Sequence, residues 1–163
     1  MKIYFAGPLF TEYERDYISK CAVKLRENGI DPFVPHESPH DETPHPTRSA
    51  AQRCLDRDFE GISTANAMLA LVNGTEVDDG TASEIGIFYQ LVQKDPTKKG
   101  IVALHGDWRT APHGEGKPLN LFVHGCILKA GVVVNTLDEA IQQLKAWEAE
   151  LAAEGHLAAG GAQ

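Results

Sequence analysis

At 163 residues, 42% of them hydrophobic and 23% charged, the chain is long enough for one domain with a proper core; this composition excludes two comfortable domains and a largely disordered chain. Its formal net charge of −8, with no basic stripe, argues against a polyanionic partner such as duplex nucleic acid. No apolar run approaches bilayer-spanning length and Met1 leads directly into a strand pattern, so a cytoplasmic protein with no membrane partner is expected.

Lys2–Ala6 reads as a first strand, broken by Gly7-Pro8. Thr11 with Glu14 three residues on forms a capping box, and Tyr17, Ile18, Cys21 and Leu25 mark the buried stripe of a helix that ends at Asn28-Gly29. Ile30–Val34 is a short second strand, so the chain opens as a βαβ unit with a parallel sheet. The proline-bounded stretch from Pro35 to Pro46, with His36, His40 and His45, cannot hold a helix; its histidine spacing matches no standard zinc pattern, and a loop covering a substrate is the functional alternative to a solvated connection.

Thr47 or Ser49 starts a second helix through about Ser63, with Ala51, Cys54, Leu55, Phe59 and Ile62 as its apolar face. Asp58 is placed near the C-terminal end of that helix, where the dipole disfavours a carboxylate unless it has a partner or a task. Ala67–Val72 is an uninterrupted apolar strand of the kind buried on both faces. After it, Asn73 to Tyr89 reads as a strand-to-helix loop carrying acids, with a helix beginning near Thr81. Glu84 has two readings here: Thr81-Ala82-Ser83-Glu84 fits a capping box, and Asp78 and Glu84 also sit at the strand edge where open α/β sheets bind ligands.

Gly100–His105 is the fourth strand, and the irregular stretch from Gly106 to Lys117, with Asp107, Trp108, Arg109 and His113, follows it. Pro118–His124 suggests a short helix, Val132–Val134 a fifth strand, and Asp138–Leu151 an amphipathic last helix carrying Trp147. Residues 1–151 form the expected domain and residues 152–163 a flexible tail. Cys21, Cys54 and Cys126 are odd in number and widely spaced, and read as small buried side chains in a reducing compartment. There is no internal repeat and no Gly-x-Gly-x-x-Gly or Gly-Lys-Ser/Thr phosphate signature.

Four segments in order carry a resemblance: Tyr4-Phe5-Ala6-Gly7-Pro8-Leu9-Phe10, Asp58-Phe59-Glu60-Gly61-Ile62, Asp78-Asp79-Gly80-Thr81-Ala82-Ser83-Glu84-Ile85-Gly86, and Gly116-Lys117-Pro118-Leu119-Asn120. Together they resemble the nucleoside 2-deoxyribosyltransferase family over residues 1 to about 147. The resemblance implies a single-domain α/β fold, flavodoxin-like, with a five-stranded parallel sheet in a three-layer sandwich. It implies transfer of 2-deoxyribose between nucleobases through a covalent glycosyl-enzyme, without cofactor or metal, in dimer-based oligomers up to a hexamer with shared sites. Glu84 would be the nucleophile, Asp78 and Asp58 would contact the base and steer its proton, and Tyr4 would orient the nucleophilic carboxylate. Gly7, Phe10, Asp79 and Gly80 would line the substrate site, and Asn120 would match the residue a neighbouring subunit contributes to the sugar.

The residue types suit that chemistry on their own. Breaking a C1′–N bond passes through an oxocarbenium-like state that a carboxylate can stabilise and then capture. A carboxyl with a raised pKa protonates the departing base, and crowding of carboxylates is one way such a shift arises. A nucleoside or nucleoside 5′-monophosphate hydrolase using the same glutamate is the nearest rival; Pro8, Leu9 and Phe10 in the first loop offer no phosphate cradle and favour a free 5′-hydroxyl. A nucleotide-binding sensor without turnover is the rival from another class.

Overall fold

The computed structural model describes residues 1–38, 47–106 and 119–157. The chain alternates strand and helix: β1 (Lys2–Ala6), α1 (Glu12–Glu27), β2 (Asp31–Phe33), α2 (Ala50–Thr64), β3 (Ala67–Leu71), α3 (Asp79–Val92), β4 (Gly100–Leu104), α4 (Leu121–Ala130), β5 (Gly131–Val134) and α5 (Leu137–Ala153). A single 3₁₀ turn, Pro35–Glu37, follows β2. All five strands pair in parallel, in the order β2-β1-β3-β4-β5. This is the flavodoxin-like order anticipated from the sequence, and every expected strand is present.

The three central strands carry apolar residues without alternation because both faces are covered. Ile3, Phe5, Leu69, Leu71, Val102 and Leu104 face one layer, where Ile18, Cys21, Ala22 and Leu25 of α1 meet Ala140, Leu144 and Trp147 of α5. Tyr4, Ala6, Met68, Ala70, Ile101 and Ala103 face the other, against Ile62 of α2, Ile85 and Phe88 of α3, and Cys126 and Ile127 of α4. Because β1 lies between β2 and β3, the chain leaves it toward one side with α1 and returns past it with α2 on the opposite face. The crevice above the C-terminal ends of β1 and β3 is therefore the topological switch point, the usual ligand position in such sheets.

Several local expectations are corrected. Tyr17 is largely exposed, and Ile18, Cys21, Ala22 and Leu25 form the buried stripe of α1. The strand β2 is shorter than expected; it is an edge strand containing Pro32, which has no amide to give a ladder. On α2 only Gly61 and Ile62 are buried, whereas Leu55 and Phe59 are 60% and 46% exposed, and Cys54 is exposed while the other two cysteines are buried. The helix expected at Pro118–His124 runs instead from Leu121 to Ala130, because Gly125 interrupts the apolar pattern without ending the helix. The capping box of α1 does form, with the Thr11 amide donating to Glu14 Oε2 at 2.7 Å and the Glu14 amide to Thr11 Oγ1 at 3.2 Å. No helix among the described residues is long and apolar enough to cross a membrane.

The end of α2 is held by a lysine from the β3–β4 connection. Lys98 is buried, and its ammonium donates to the carbonyl of Ser63 and, at 2.7 Å, to that of Ala65. Free carbonyls at a helix end need partners, and a cation there also suits the dipole. Lys98→Met removes both bonds and leaves the carbonyls in a dry environment, so urea denaturation should show a loss of about 1–3 kcal/mol.

Candidate active site

Tyr4 lies on β1 with no exposed surface, its ring directed into the layer formed by α2, α3 and α4. Its hydroxyl donates to Glu84 Oε1 of α3 at 2.5 Å. Burial and the neighbouring Glu84 push the phenol well above its ordinary value, so Tyr4 remains a donor at any working pH. Glu84 is half-buried, and its carboxyl is pushed up to about 7; burial is the main cause, the Tyr4 hydrogen bond opposes it, and the nearby Asp58 and Asp78 add to it. Two carboxylates beside a third disfavour its ionisation, so the raised value falls on Glu84 itself.

The capping-box reading of Glu84 is overturned. The helix α3 starts at Asp79, and its N-cap is Asp78, whose Oδ2 accepts from the Thr81 amide at 2.9 Å and from the Thr81 hydroxyl at 3.1 Å. Asp78 takes the Thr81 amide, and Glu84, one turn and a half into the helix, reaches β1. Thr81, 1% exposed, is the buried post on which the cap rests.

Asp58 lies in the last two turns of α2, which ends at Thr64, one residue beyond the expected end. It has two partners on its own helix: Arg57 Nε donates to Oδ1 at 2.9 Å, and Cys54 Sγ donates to Oδ2 at 3.2 Å. The carboxylate is thus aimed by its neighbours and acts as an acceptor. Burial and Asp58 push the Cys54 thiol up, keeping it a donor rather than a thiolate. Arg57 and Cys54 are partners of Asp58 that the sequence reading missed; the available signal was an arginine directly beside the motif aspartate.

A further contact supports Tyr4 from behind. Phe33, at the end of β2, stacks on the tyrosine ring with centroids 5.6 Å apart and planes 16° from parallel. Gly61 of α2 lies against the same phenylalanine, and a Cβ there would stand 2.6 Å from the ring.

In the first loop, Gly7 packs closely: a Cβ would stand 2.9 Å from Ile18 Cδ1 and 3.2 Å from Leu71 Cβ, so both neighbours would have to shift. Arg15 of α1 fixes this loop by donating to the carbonyls of Leu9 and Phe10 at 2.7 and 3.0 Å. Phe10 itself is 79% exposed. Asp79 and Gly80 form the first turn of α3. Asn120 caps α4, accepting from the Phe122 and Val123 amides at 2.9 and 3.3 Å. It shares with Glu76, Asp79, Ala82 and Val123 a cleft of about 380 Å³ whose lining does not include Tyr4, Asp58 or Glu84. Tyr4, Asp58, Asp78 and Glu84 come together around the Tyr4–Glu84 hydrogen bond, and Asn120 lines a cleft with Asp79, the neighbour of Asp78. His36 accepts or donates a bond with Ser19 at 2.9 Å on α1; His40, His45, Trp108, Arg109, His113 and Gly116–Pro118 lie outside the described residues. Among the described residues no group of three or more potential metal ligands occurs.

Comparison with known proteins converges on one family. The model of the nucleoside 2-deoxyribosyltransferase family matches residues 3–122. An uncharacterized protein of Ureaplasma parvum serovar 3 is 32% identical over 137 residues, covering 78% of this chain and 84% of that one. A conserved protein from Enterococcus faecalis V583 superposes with a TM-score of 0.71 at 27% identity, over 90% of this chain and 98% of its own. The fold is shared with a 2-deoxyribosyltransferase from Bacillus psychrosaccharolyticus, with a TM-score of 0.67 at 22% identity over 86% and 90% of the two chains. With the family model covering well over half of its length, and including the strand that carries Tyr4 and the helix that carries Glu84, the chain belongs to the nucleoside 2-deoxyribosyltransferase family.

Proposed function

We propose that this protein exchanges the nucleobase of 2′-deoxynucleosides by double displacement on Glu84. The observation that carries the reading is the Tyr4–Glu84 hydrogen bond inside a group of three carboxyls, one of them Glu84 with its carboxyl pushed up to about 7. In the first half-reaction a Glu84 oxygen bonds to C1′ as the C1′–N bond breaks, and the base departs with the electron pair and takes a proton. In the second, a nitrogen of the incoming base attacks C1′, gives up its proton, and the Glu84 carboxylate leaves. Tyr4 holds Glu84 so that one oxygen faces C1′. Asp78, whose Oδ2 is engaged by Thr81, presents Oδ1 to the base and passes the proton, while Asp58, aimed by Arg57 and Cys54, accepts from a base N–H. A carboxylate partly withdrawn from water gains more when positive charge develops beside it, which is the condition at the oxocarbenium-like state.

Gly7, Phe10, Asp79 and Gly80 are read as the rim of the sugar and base site, and Asn120 as a contribution to the site of a neighbouring copy. Large apolar side chains left uncovered on α2 and α4 support such an assembly: Leu55 is 60% exposed, Phe122 80% and Leu128 60%. Light scattering coupled to size exclusion should give a multiple of the chain mass at micromolar concentration, and Phe122→Asp should lower it; a wild-type monomer removes Asn120 from the site.

Incubation with 2′-deoxyinosine and adenine should yield 2′-deoxyadenosine and hypoxanthine, followed by chromatography. Glu84→Ala should lower the rate about 10³-fold or more, the scale typical of losing a nucleophile. Hypoxanthine released without new nucleoside would make the protein a hydrolase, and unchanged turnover in Glu84→Ala would end the covalent reading.

The pH dependence follows from Glu84. The nucleophile must be ionised, so kcat/KM should rise with pH through an acid limb near the carboxyl's value of about 7. Stability runs the other way. Unfolded Glu84 loses its proton near the ordinary value of 4.5 and folded Glu84 near 7, so its contribution to stability is full at low pH and is lost as pH rises through about 7. Glu84→Gln should therefore be more stable than wild type at pH 8, by about 1–2 kcal/mol after allowance for partial exposure, and not at pH 4, as checked by thermal unfolding.

A further inference from the structure

We propose that Phe33, seated by Gly61, is a positioning residue that holds the Tyr4 ring where its hydroxyl meets Glu84. The inference rests on the reading of Glu84 as nucleophile and adds a second layer to it. Tyr4 is anchored on β1 by its backbone, but a phenol hydroxyl sits far from the Cα and small ring rotations move it by ångströms. One face of the ring is set by Phe33, 5.6 Å away and nearly parallel. Offset aromatic stacking of this kind fixes orientation as well as burying area. Phe33 is in turn pressed from the side by α2: at Gly61 a Cβ would stand 2.6 and 2.7 Å from its ring carbons, so a glycine is what lets helix and ring approach this closely.

The same helix supplies Asp58, three residues earlier. The path from Gly61 through Phe33 to the Tyr4 hydroxyl therefore locks the distance between the α2 acid and the α3 nucleophile. This gives a physical reason for glycine at the fourth position of Asp58-Phe59-Glu60-Gly61-Ile62, one that the exposed Phe59 and Glu60 do not provide. The ionisable groups facing Glu84 are Tyr4 from β1, Asp58 from α2 and Asp78 from the loop before α3, with Arg57 and Cys54 beside Asp58; Phe33 and Gly61 carry no charge, so they act on Glu84 only through Tyr4. A cavity of about 180 Å³ lined by Phe33, Gly61, Thr64 and Ala65 lies beside the ring, so a ring displaced by a new methyl group has space to move while the domain stays folded.

The test titrates the Glu84 side-chain carboxyl by ¹³C NMR, with its resonance assigned by its disappearance in Glu84→Gln, and runs deoxyribosyl transfer kinetics on the same samples. Tyr4→Phe gives the reference, since the Tyr4 hydrogen bond favours the ionised carboxylate and its loss moves the midpoint up. Phe33→Leu and Gly61→Ala should move the midpoint in the same direction by about half a pH unit, and lower kcat about 5–30-fold with KM changed less than twofold. Phe33→Tyr, which keeps the stack, should titrate as wild type. Adding Phe33→Leu to Tyr4→Phe should move the midpoint no further, because the two act along one path. Wild-type titration in both Phe33→Leu and Gly61→Ala, whatever their melting temperatures, or full additivity in the double variant, overturns the proposal. The NMR midpoints decide the positioning even if wild type transfers no deoxyribose, an outcome that overturns the functional reading alone.

Discussion

The structure turns on a buried hydrogen bond between a strand and a helix that are far apart in sequence. Tyr4 and Glu84 belong to β1 and α3, and the bond between them forms only because β1 and β3 are neighbours in the sheet and α3 leaves from the end of β3. Putting a carboxyl there costs solvation, and the cost appears as a pKa raised to about 7. The phenol offsets part of it and fixes the direction of the carboxyl. A group held near neutrality, oriented and partly dry, is suited to work both as nucleophile and as leaving group, the two tasks the proposed double displacement gives it.

The rest of the site is organised by two helices that approach this bond from either side. Asp78 caps α3 and so takes the place that Glu84 would otherwise occupy at the helix start; the same motif that stabilises the helix thereby releases the glutamate for chemistry. On α2, Asp58 is clamped by Arg57 and Cys54, and Gly61 lets the helix close on Phe33 and through it on Tyr4. Lys98 secures the far end of α2, so the clamp does not depend on solvent-exposed contacts alone. Asp58 and Asp78 are thus set by short-range bonds on their own elements, while Glu84 is set by Tyr4 across the sheet.

Several large apolar side chains are exposed on the elements around this arrangement. Phe10, Tyr13 and Phe122 are each more than three-quarters exposed, and Leu55 and Phe59 extend the same character onto α2, the helix of Asp58. Scattered exposed apolar residues are ordinary, but aromatic side chains concentrated on elements that border a site are the pattern of a contact surface. An assembly that covered them would also exclude water from a reaction in which water competes with the incoming base.

The alternation of strands and helices, the parallel sheet and the set of acids follow from local sequence pattern. Apolar runs such as Ala67–Leu71 are strands covered on both faces, and helical periodicity in α1 and α5 fixes which side is buried, so these elements are legible from local pattern alone. Motif order, from Tyr4 to Glu84, carried the family. Which local option each residue takes depends on packing between elements. A Thr81 cap would hold the Glu84 side chain at the helix start; with Asp78 as the cap, Asp78 accepts from the Thr81 amide and Glu84 bonds Tyr4 on β1, 80 residues away in sequence. The apolar face of α2 has the right period to be buried, yet most of it is exposed, because the sheet has only enough surface there for Gly61 and Ile62. Arg57 and Cys54 join Asp58 through bonds within α2, at helical spacings readable only once Asp58 is known to matter. The contact of Gly61 with Phe33, and of Phe33 with Tyr4, depends on the close approach of helix to sheet, a distance that no local sequence pattern encodes.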